Sequence, residues 1–476
     1  MDKLVGFLMN TDFDNLPEEA IHESKRFLLD SIGVAILSLR TEKGRCGREI
    51  AKKYGGQQEA AILGTNDRVN RAHAAFANGE LINAMDYDVF AGLHNHFPPY
   101  VIPGCLAVGE AMKATGKDII LSALLGTEIA TRLIKAIRGT TRLFTKKEGS
   151  EVGKIIGTRI PVYPMASALL GGAAAVGKIL RLDEKKMINT LSLAGQMIPI
   201  PIPLIMTAGN RAPWTMIKLI TGWAAMASVT SVEMAMVGYN ADASILDAEH
   251  GLWRSYGSDR WEPDALTDKL GHEWEILRVI EYKPYPCFRP SHVALDCFIK
   301  IIEDNKLEPD EIKSVRILTN PGVASSYNTN QTFENHVATQ SSIPYVIAAA
   351  ANRIDRTLWQ DSDQLHDPLL LRFMSKVTIE GHPDFEKYSL DWKKKHSNIT
   401  TVEVVTEKNI FKDERQFPKG SPYTESTIMS DEELVTKFRM NVSYVLPNDK
   451  MERAVEKIMD LEKVDNFAEV IQDVSL

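Results

Sequence analysis

The sequence predicts a mainly α-helical protein, with a large all-helical domain and an inserted, smaller α+β domain. Three observations lead there. Apolar residues recur at helical spacing almost without a break through residues 1–275. Alternating, strand-like runs occur only within 276–419. Helical spacing then returns over 420–476, and that tail is expected to pack back on the first domain. The chain has 476 residues, of which 44% are hydrophobic. That suits two or three domains around an ample core.

The elements follow in order. Leu16–Ser38 reads as an amphipathic helix, with Pro17 and acids at its start and Phe27, Leu28, Ile32 and Ala35 at helical spacing. Ala60–Gly64 is a short apolar run, expected as one strand. Val69–Met85 is the next helix. Gly104–Ala114 and Asp118–Ile137 form a helical pair joined at Thr115-Gly116. Gly139–Arg159 is polar and basic and fits either a lid or a solvated loop. Ser167–Leu182 is rich in small residues, which permits close helix–helix approach. Lys185–Ala194 is a helix, and the prolines at 199, 201 and 203 force irregular backbone. Trp214–Val237 is a strongly apolar helix. Strands follow at Ser314–Thr319, Lys376–Glu380 and Thr400–Thr406, the last turning at Glu407-Lys408-Asn409 into a hairpin. Helices Val293–Asp304 and Ser342–Ala351 lie between them. Ser430 and Glu433 form a capping box, and Asn448–Leu461 and Asn466–Asp473 close the chain.

Composition narrows the function. A net charge of −8 argues against a nucleic-acid or acidic-membrane partner. The four cysteines are widely spaced with no CxxC pair, which fits reduced thiols in a cytoplasm. The uncharged run Met187–Asn210 is broken by prolines, so it reads as buried core, not a membrane span. No dinucleotide, P-loop or Ser-hydrolase motif occurs. His94-x-His96 alone makes a weak metal motif, so no metal is expected.

Asn83–Pro103 carries the densest chemistry. Asp86 and Asp88 follow a helix C-terminus, where the macrodipole disfavours carboxylates. A loop with His94 and His96 comes next, ending at three prolines. This fits half of an acid–base site or a solvated acidic turn beside a structural histidine. A second constellation lies in Tyr282–His292, YKPYPCFRPSH. There Lys283, Arg289 and His292 sit among three prolines, ahead of a helix start suited to a carboxylate or phosphate. It reads as an anion clamp or as an interdomain connector. Arg211, after the irregular apolar stretch, adds a further cation.

These residues resemble the MmgE/PrpD family, whose members include 2-methylcitrate dehydratase, cis-aconitate decarboxylase and iminodisuccinate epimerase. The resemblance runs through Leu16-Pro17 and Leu28–Gly33, then Asn78-Gly79 with Met85–Asp88, then Gly126–Glu128 with Arg132-Leu133. It continues through Gly172–Leu182, Lys283–Pro286 and Ser342–Ala348. It implies a helical domain built from both chain ends, an inserted α+β domain and a homodimer. It further implies proton chemistry next to a carboxylate, with no cofactor. By position it implies Asp86, His96, Arg211, Lys283 and His292 as site residues. The chemistry then assigns His96 as general acid/base, Asp86 as the group that orients it, and Arg211, Lys283 and Arg289 as holders of substrate carboxylates, with His94 beside them. Tyr163 or His292 is then expected to serve the opposite face. Val89, Phe90, Val162 and Phe288 depart from the family pattern, replacing polar groups by apolar ones. They suggest a substrate with fewer carboxylates, or one with an apolar arm on Ile198–Met206. The reaction stays open among dehydration, decarboxylation and epimerisation, with a non-catalytic carboxylate-binding protein as the remaining alternative.

Overall fold

The computed structural model describes all residues except 93–95, 143–158, 201–214, 217–218, 247–248, 250, 325–326 and 389–397. The protein is mainly α-helical, with one four-stranded sheet in its second half. The first helices pack around a single large core. Glu18–Leu37 follows Pro17, carries two acids in its first turn, and is buried along most of its length. Arg71–Asn83 and Gly116–Ile137 pack against it, and both also pack, with Leu169–Ile179 and Thr221–Met236, around the helix Pro98–Ala111. The small-residue stretch does what its composition predicts. A Cβ on Gly171 would lie 2.2 Å from the Gly126 carbonyl oxygen, so these helices cross in near-backbone contact.

The three prolines after His96 do not end in a loop. Pro98 and Pro99 open the helix Pro98–Ala111, and Pro103 lies inside it. The reason is positional: N–H groups of a first turn have no intrahelical acceptor, so proline costs nothing there. Within the first 275 residues the chain also forms short strand pairs. Ala60–Ala61 pairs with Arg68–Val69, and Thr140–Arg142 pairs with Arg159–Pro161. The rest of the basic 139–159 segment lies outside the described residues.

The second half forms an antiparallel and parallel mixed sheet ordered Ile410–Arg415, Thr400–Val405, Ser314–Thr319, Val377–Gly381. The parallel pair needs a long crossover, and Ile343–Ala351 and Pro368–Met374 supply it. His292–Asp304 and Ile343–Ala351 contribute Val293, Phe298, Tyr345 and Ile347 to the core that the inner sheet face completes. The chain's last helices return to the first core. Ser430 and Glu433 cap each other's backbone N–H at the start of Asp431–Val442. Phe438 of that helix packs against Gly33, where a Cβ would come to 2.9 Å of its ring.

One element joins the halves. Phe90–Ala91 pairs antiparallel with Ile280–Glu281. Two residues are too few for an alternating pattern to reveal, yet this pairing sets Asp86–Asp88 against the Lys283 loop.

Candidate active site

The helix Arg71–Asn83 starts at the Asn70 cap and stops at Asn83. Its last carbonyls have no intrahelical donors. Side chains from the other half supply them: Gln340 Nε2 donates to Ala84 O at 2.8 Å, and Gln360 Nε2 donates to Met85 O at 2.6 Å. Gln340 also donates to Gln360 Oε1, and Gln360 to Pro286 O, both at 2.8 Å. The chain then turns through Asp86 at φ 52°. Short polar side chains tolerate that left-handed conformation better than most. Lys283 Nζ fixes the turn by donating to Asp86 O at 2.8 Å and Asp86 Oδ1 at 2.6 Å.

His96 sits between the two carboxylates. Its Nδ1 lies 2.9 Å from Asp88 Oδ2, and its Nε2 lies 3.3 Å from Asp86 Oδ1. Asn83 Nδ2 donates to Asp88 Oδ1 at 3.3 Å. The Phe90 ring meets the imidazole edge-on at 5.3 Å, and the Lys283 ammonium lies 5.5 Å from the centre of that same ring. Asp86, Asp88, His96 and Lys283 are all buried. With Nδ1–H donated to Asp88, Nε2 is the nitrogen left to accept and release a proton. Asp86, Asp88 and His96 could also offer three ligand atoms to a metal ion, all within 4.8 Å of one another. The Lys283 ammonium already lies against Asp86 and brings positive charge to that place.

A model of the MmgE/PrpD N-terminal domain matches residues 2–264, and one of the C-terminal domain matches residues 285–461. The chain belongs to the MmgE/PrpD family. It is 26% identical to the cis-aconitate decarboxylase of Mus musculus, over 97% of this chain and 91% of that protein. The Homo sapiens cis-aconitate decarboxylase is likewise 26% identical, over 95% and 89%. A cis-aconitate decarboxylase of Aspergillus terreus is 24% identical, over 79% and 77%.

Against this MmgE/PrpD frame, the remaining residues singled out from sequence fall into different places. His94 and Arg211 lie outside the described residues. Arg289 does not face an open site. Its Nε donates to Glu281 Oε2 at 2.8 Å, its Nη1 to Lys419 O at 2.8 Å, and its Nη2 to Ser421 Oγ at 2.8 Å. His292 is buried with Nδ1 3.2 Å from Arg289 Nη1 and Nε2 3.2 Å from Cys287 O. Burial, then the Arg289 charge, hold this imidazole well below the usual histidine range, so it is neutral. Both nitrogens are engaged, which leaves it without a proton to offer. Tyr163 lies beside Arg138, and burial pushes its hydroxyl up; no described contact joins it to His96.

Several residues of the site were missed. Asp88, in the same motif as Asp86, holds the shorter contact to His96. Gln340 and Gln360 sit far along the chain and carry no motif. Lys437 was also unmarked: its Nζ reaches Asp30 Oδ1 at 2.7 Å and Tyr87 O at 3.1 Å. The Tyr87 hydroxyl in turn donates to Pro284 O at 3.2 Å, tying the turn to the lysine loop. Behind it a cleft of about 590 Å³ is lined by Tyr87, Tyr285, Arg356 and Lys437, and not by His96. No helix among the described residues is long and apolar enough to cross a membrane.

Proposed function

We propose that this chain is a lyase acting on a small carboxylate, with proton transfer at a carbon next to a carboxylate as its chemical step. The observation that carries this reading is the buried His96, oriented by Asp88 and faced on Nε2 by an Asp86 that shares the Lys283 ammonium. Asp88 takes the orienting role expected of Asp86. Asp86 instead holds Lys283 in place and receives an Nε2–H once the imidazole is protonated.

Charge develops on the substrate when a carbanion or its enediolate forms. Fixed donors in a water-poor site stabilise it. Lys283 has three N–H donors; two go to Asp86, and the third is the one a substrate oxygen can take. Arg211 is expected to add a second cation. In decarboxylation, the C–C bond breaks, carbon dioxide leaves, and the resulting carbanion takes a proton from His96 Nε2. In dehydration, Nε2 takes the proton and hydroxide leaves from the adjacent carbon. The names of the mouse, human and Aspergillus relatives favour decarboxylation. Phe90 against the His96 edge supports a substrate with fewer polar groups than a tricarboxylate, since an aromatic face now lines one side of the imidazole.

The test is proton NMR in deuterated water with mono-, di- and tricarboxylates, including cis-aconitate. Deuterium entering a carbon next to a carboxylate, with loss of carbon dioxide, supports the proposal. Exchange with inversion and no loss would make the protein an epimerase. Binding without exchange would make it a carboxylate-binding protein and overturn the lyase reading.

A further inference from the structure

The carbonyls from Ala84 to Tyr87 run through the catalytic turn, and each accepts from a side chain of the second half of the chain. Gln340, Gln360 and Lys283 hold the oxygens of Ala84, Met85 and Asp86. Lys437 holds the last of them, Tyr87 O, at 3.1 Å. Carbonyls at a helix end lack intrahelical donors, and the helix dipole favours a cation there. The first three donors come from the inserted α+β half. Lys437 comes instead from the tail helix Asp431–Val442, which packs on the first core.

Lys437 is itself anchored in that core. Asp30, on the helix Glu18–Leu37, faces its ammonium at 2.7 Å. The ammonium also lies 3.8 Å from the centre of the Tyr87 ring. Asp30 and Lys437 are both buried. Among the described residues the Asp30 carboxylate has no partner besides Lys437. Such a pair is a poor source of stability. Taking two charges out of water offsets most of their attraction, and apolar residues of similar volume in their place are often neutral or stabilising. What apolar residues cannot do is donate to Tyr87 O. That oxygen shares a rigid peptide plane with the Asp88 nitrogen. Fixing it fixes the plane from which the Asp88 side chain leaves toward His96 Nδ1, 2.9 Å away.

We propose that Lys437, anchored by Asp30, is a positioning residue: it locks the Tyr87–Asp88 peptide and so aims the Asp88 carboxylate at His96. The consequence for rate rests on the lyase reading, whereas the aim of Asp88 does not.

The test is the double variant Asp30→Asn with Lys437→Met in the full chain, which removes both charges at similar volume. Proton NMR with isotope-labelled histidine reads the Nδ1–H proton between His96 and Asp88, and His96→Gln identifies its downfield signal. In the double variant that signal should move upfield or vanish while the unfolding midpoint stays close to wild type. With the carboxylate that the wild type turns over, cis-aconitate tried first, kcat should fall by about tenfold at constant KM, since even 1 Å of misplacement costs about 10²-fold. If the double variant fails to fold, Asp30→Asn alone keeps the volume and the ammonium, removes its anchor, and is read in the same way. A folded variant with the wild-type signal or the wild-type kcat overturns the proposal, as does a wild type with no signal that depends on His96. A signal that depends on Lys437 in a protein that turns over no carboxylate keeps the positioning role and overturns the lyase reading.

Discussion

Two clusters of buried ionisable groups flank the short strand pair that joins the halves. Phe90 belongs to one and its partner Glu281 to the other. Both are rich in carboxylate, imidazole and cation, and both read from sequence as candidate sites. They differ in how completely their hydrogen bonds are used. Around Arg289, every nitrogen of the guanidinium donates, and both nitrogens of His292 are engaged. Glu281 also receives the Tyr423 hydroxyl at 3.2 Å. Around His96, Lys283 donates to Asp86 alone among the described residues, and in the same half-to-half seam His336 Nε2 has no described partner. A saturated buried network holds a fold together, whereas one with capacity to spare is poised for a ligand. Residue types alone do not separate the two.

Substitution on each side should split that comparison cleanly. His96→Gln should cut turnover by about 10²–10⁴-fold while leaving thermal unfolding close to wild type. Arg289→Met should do the reverse. It strands Glu281 in the interior, and breaking a buried pair costs about 3–5 kcal/mol. Turnover per folded molecule should hold within a few-fold. Denaturant titration and steady-state rates on the same preparations check both. If Arg289→Met folds normally but loses activity, saturation is not a guide to role here.

Acid stability sharpens the contrast further. His336 titrates at about 4 in the folded chain and near 6.5 when unfolded. Between those values the unfolded chain binds a proton that the folded chain does not, so stability rises with pH. The His336 contribution is complete above pH 6.5 and is lost as pH falls toward 4, a change of about 3 kcal/mol. His292 is shifted in the same direction, by burial and then by Arg289. Wild type should therefore lose stability steeply from pH 6.5 to 4.5, and His336→Gln should lose less. Urea midpoints at the two pH values measure this. Equal slopes would mean that His336 is not held neutral in the fold.

Much of the helical frame was legible because long amphipathic runs have one dominant period. Glu18–Leu37 and Ser314–Thr319 both stand where spacing placed them, and the Ser430–Glu433 capping box formed as its chemistry predicts. The start of Pro98–Ala111 was misread because proline breaks a helix interior but suits a first turn. At the site, Asp86, His96 and Lys283 were legible as a cluster, since their motifs are local. Asp88 was passed over because two carboxylates two residues apart look interchangeable until the φ 52° turn at Asp86 sends them to different imidazole nitrogens. Arg289 was read as a clamp because a sequence does not show which donors the fold has already used. Gln340, Gln360 and Lys437 are polar residues on ordinary helices or turns, and only tertiary contact distinguishes them.

The smallest expected effect tests the seam between the two clusters. Gln360 Nε2 ties Met85 O, beside Asp86, to Pro286 O, beyond Lys283. It touches neither His96 nor Arg289. Gln360→Leu keeps the volume but leaves those two carbonyls, and one of the two N–H groups of the Gln340 amide, without the partners they have here. An unsatisfied buried group costs about 1–3 kcal/mol, so a modest fall in the unfolding midpoint is expected. If the seam only glues the halves together, that fall is the whole effect and the rate per folded molecule is unchanged. If it also sets the Asp86–Lys283 distance, kcat should drop by about tenfold at constant KM, because a small misplacement of a catalytic group costs rate before it costs binding. Separating kcat from KM in Gln360→Leu therefore decides whether the catalytic turn is positioned by its own helix or by the other half of the chain.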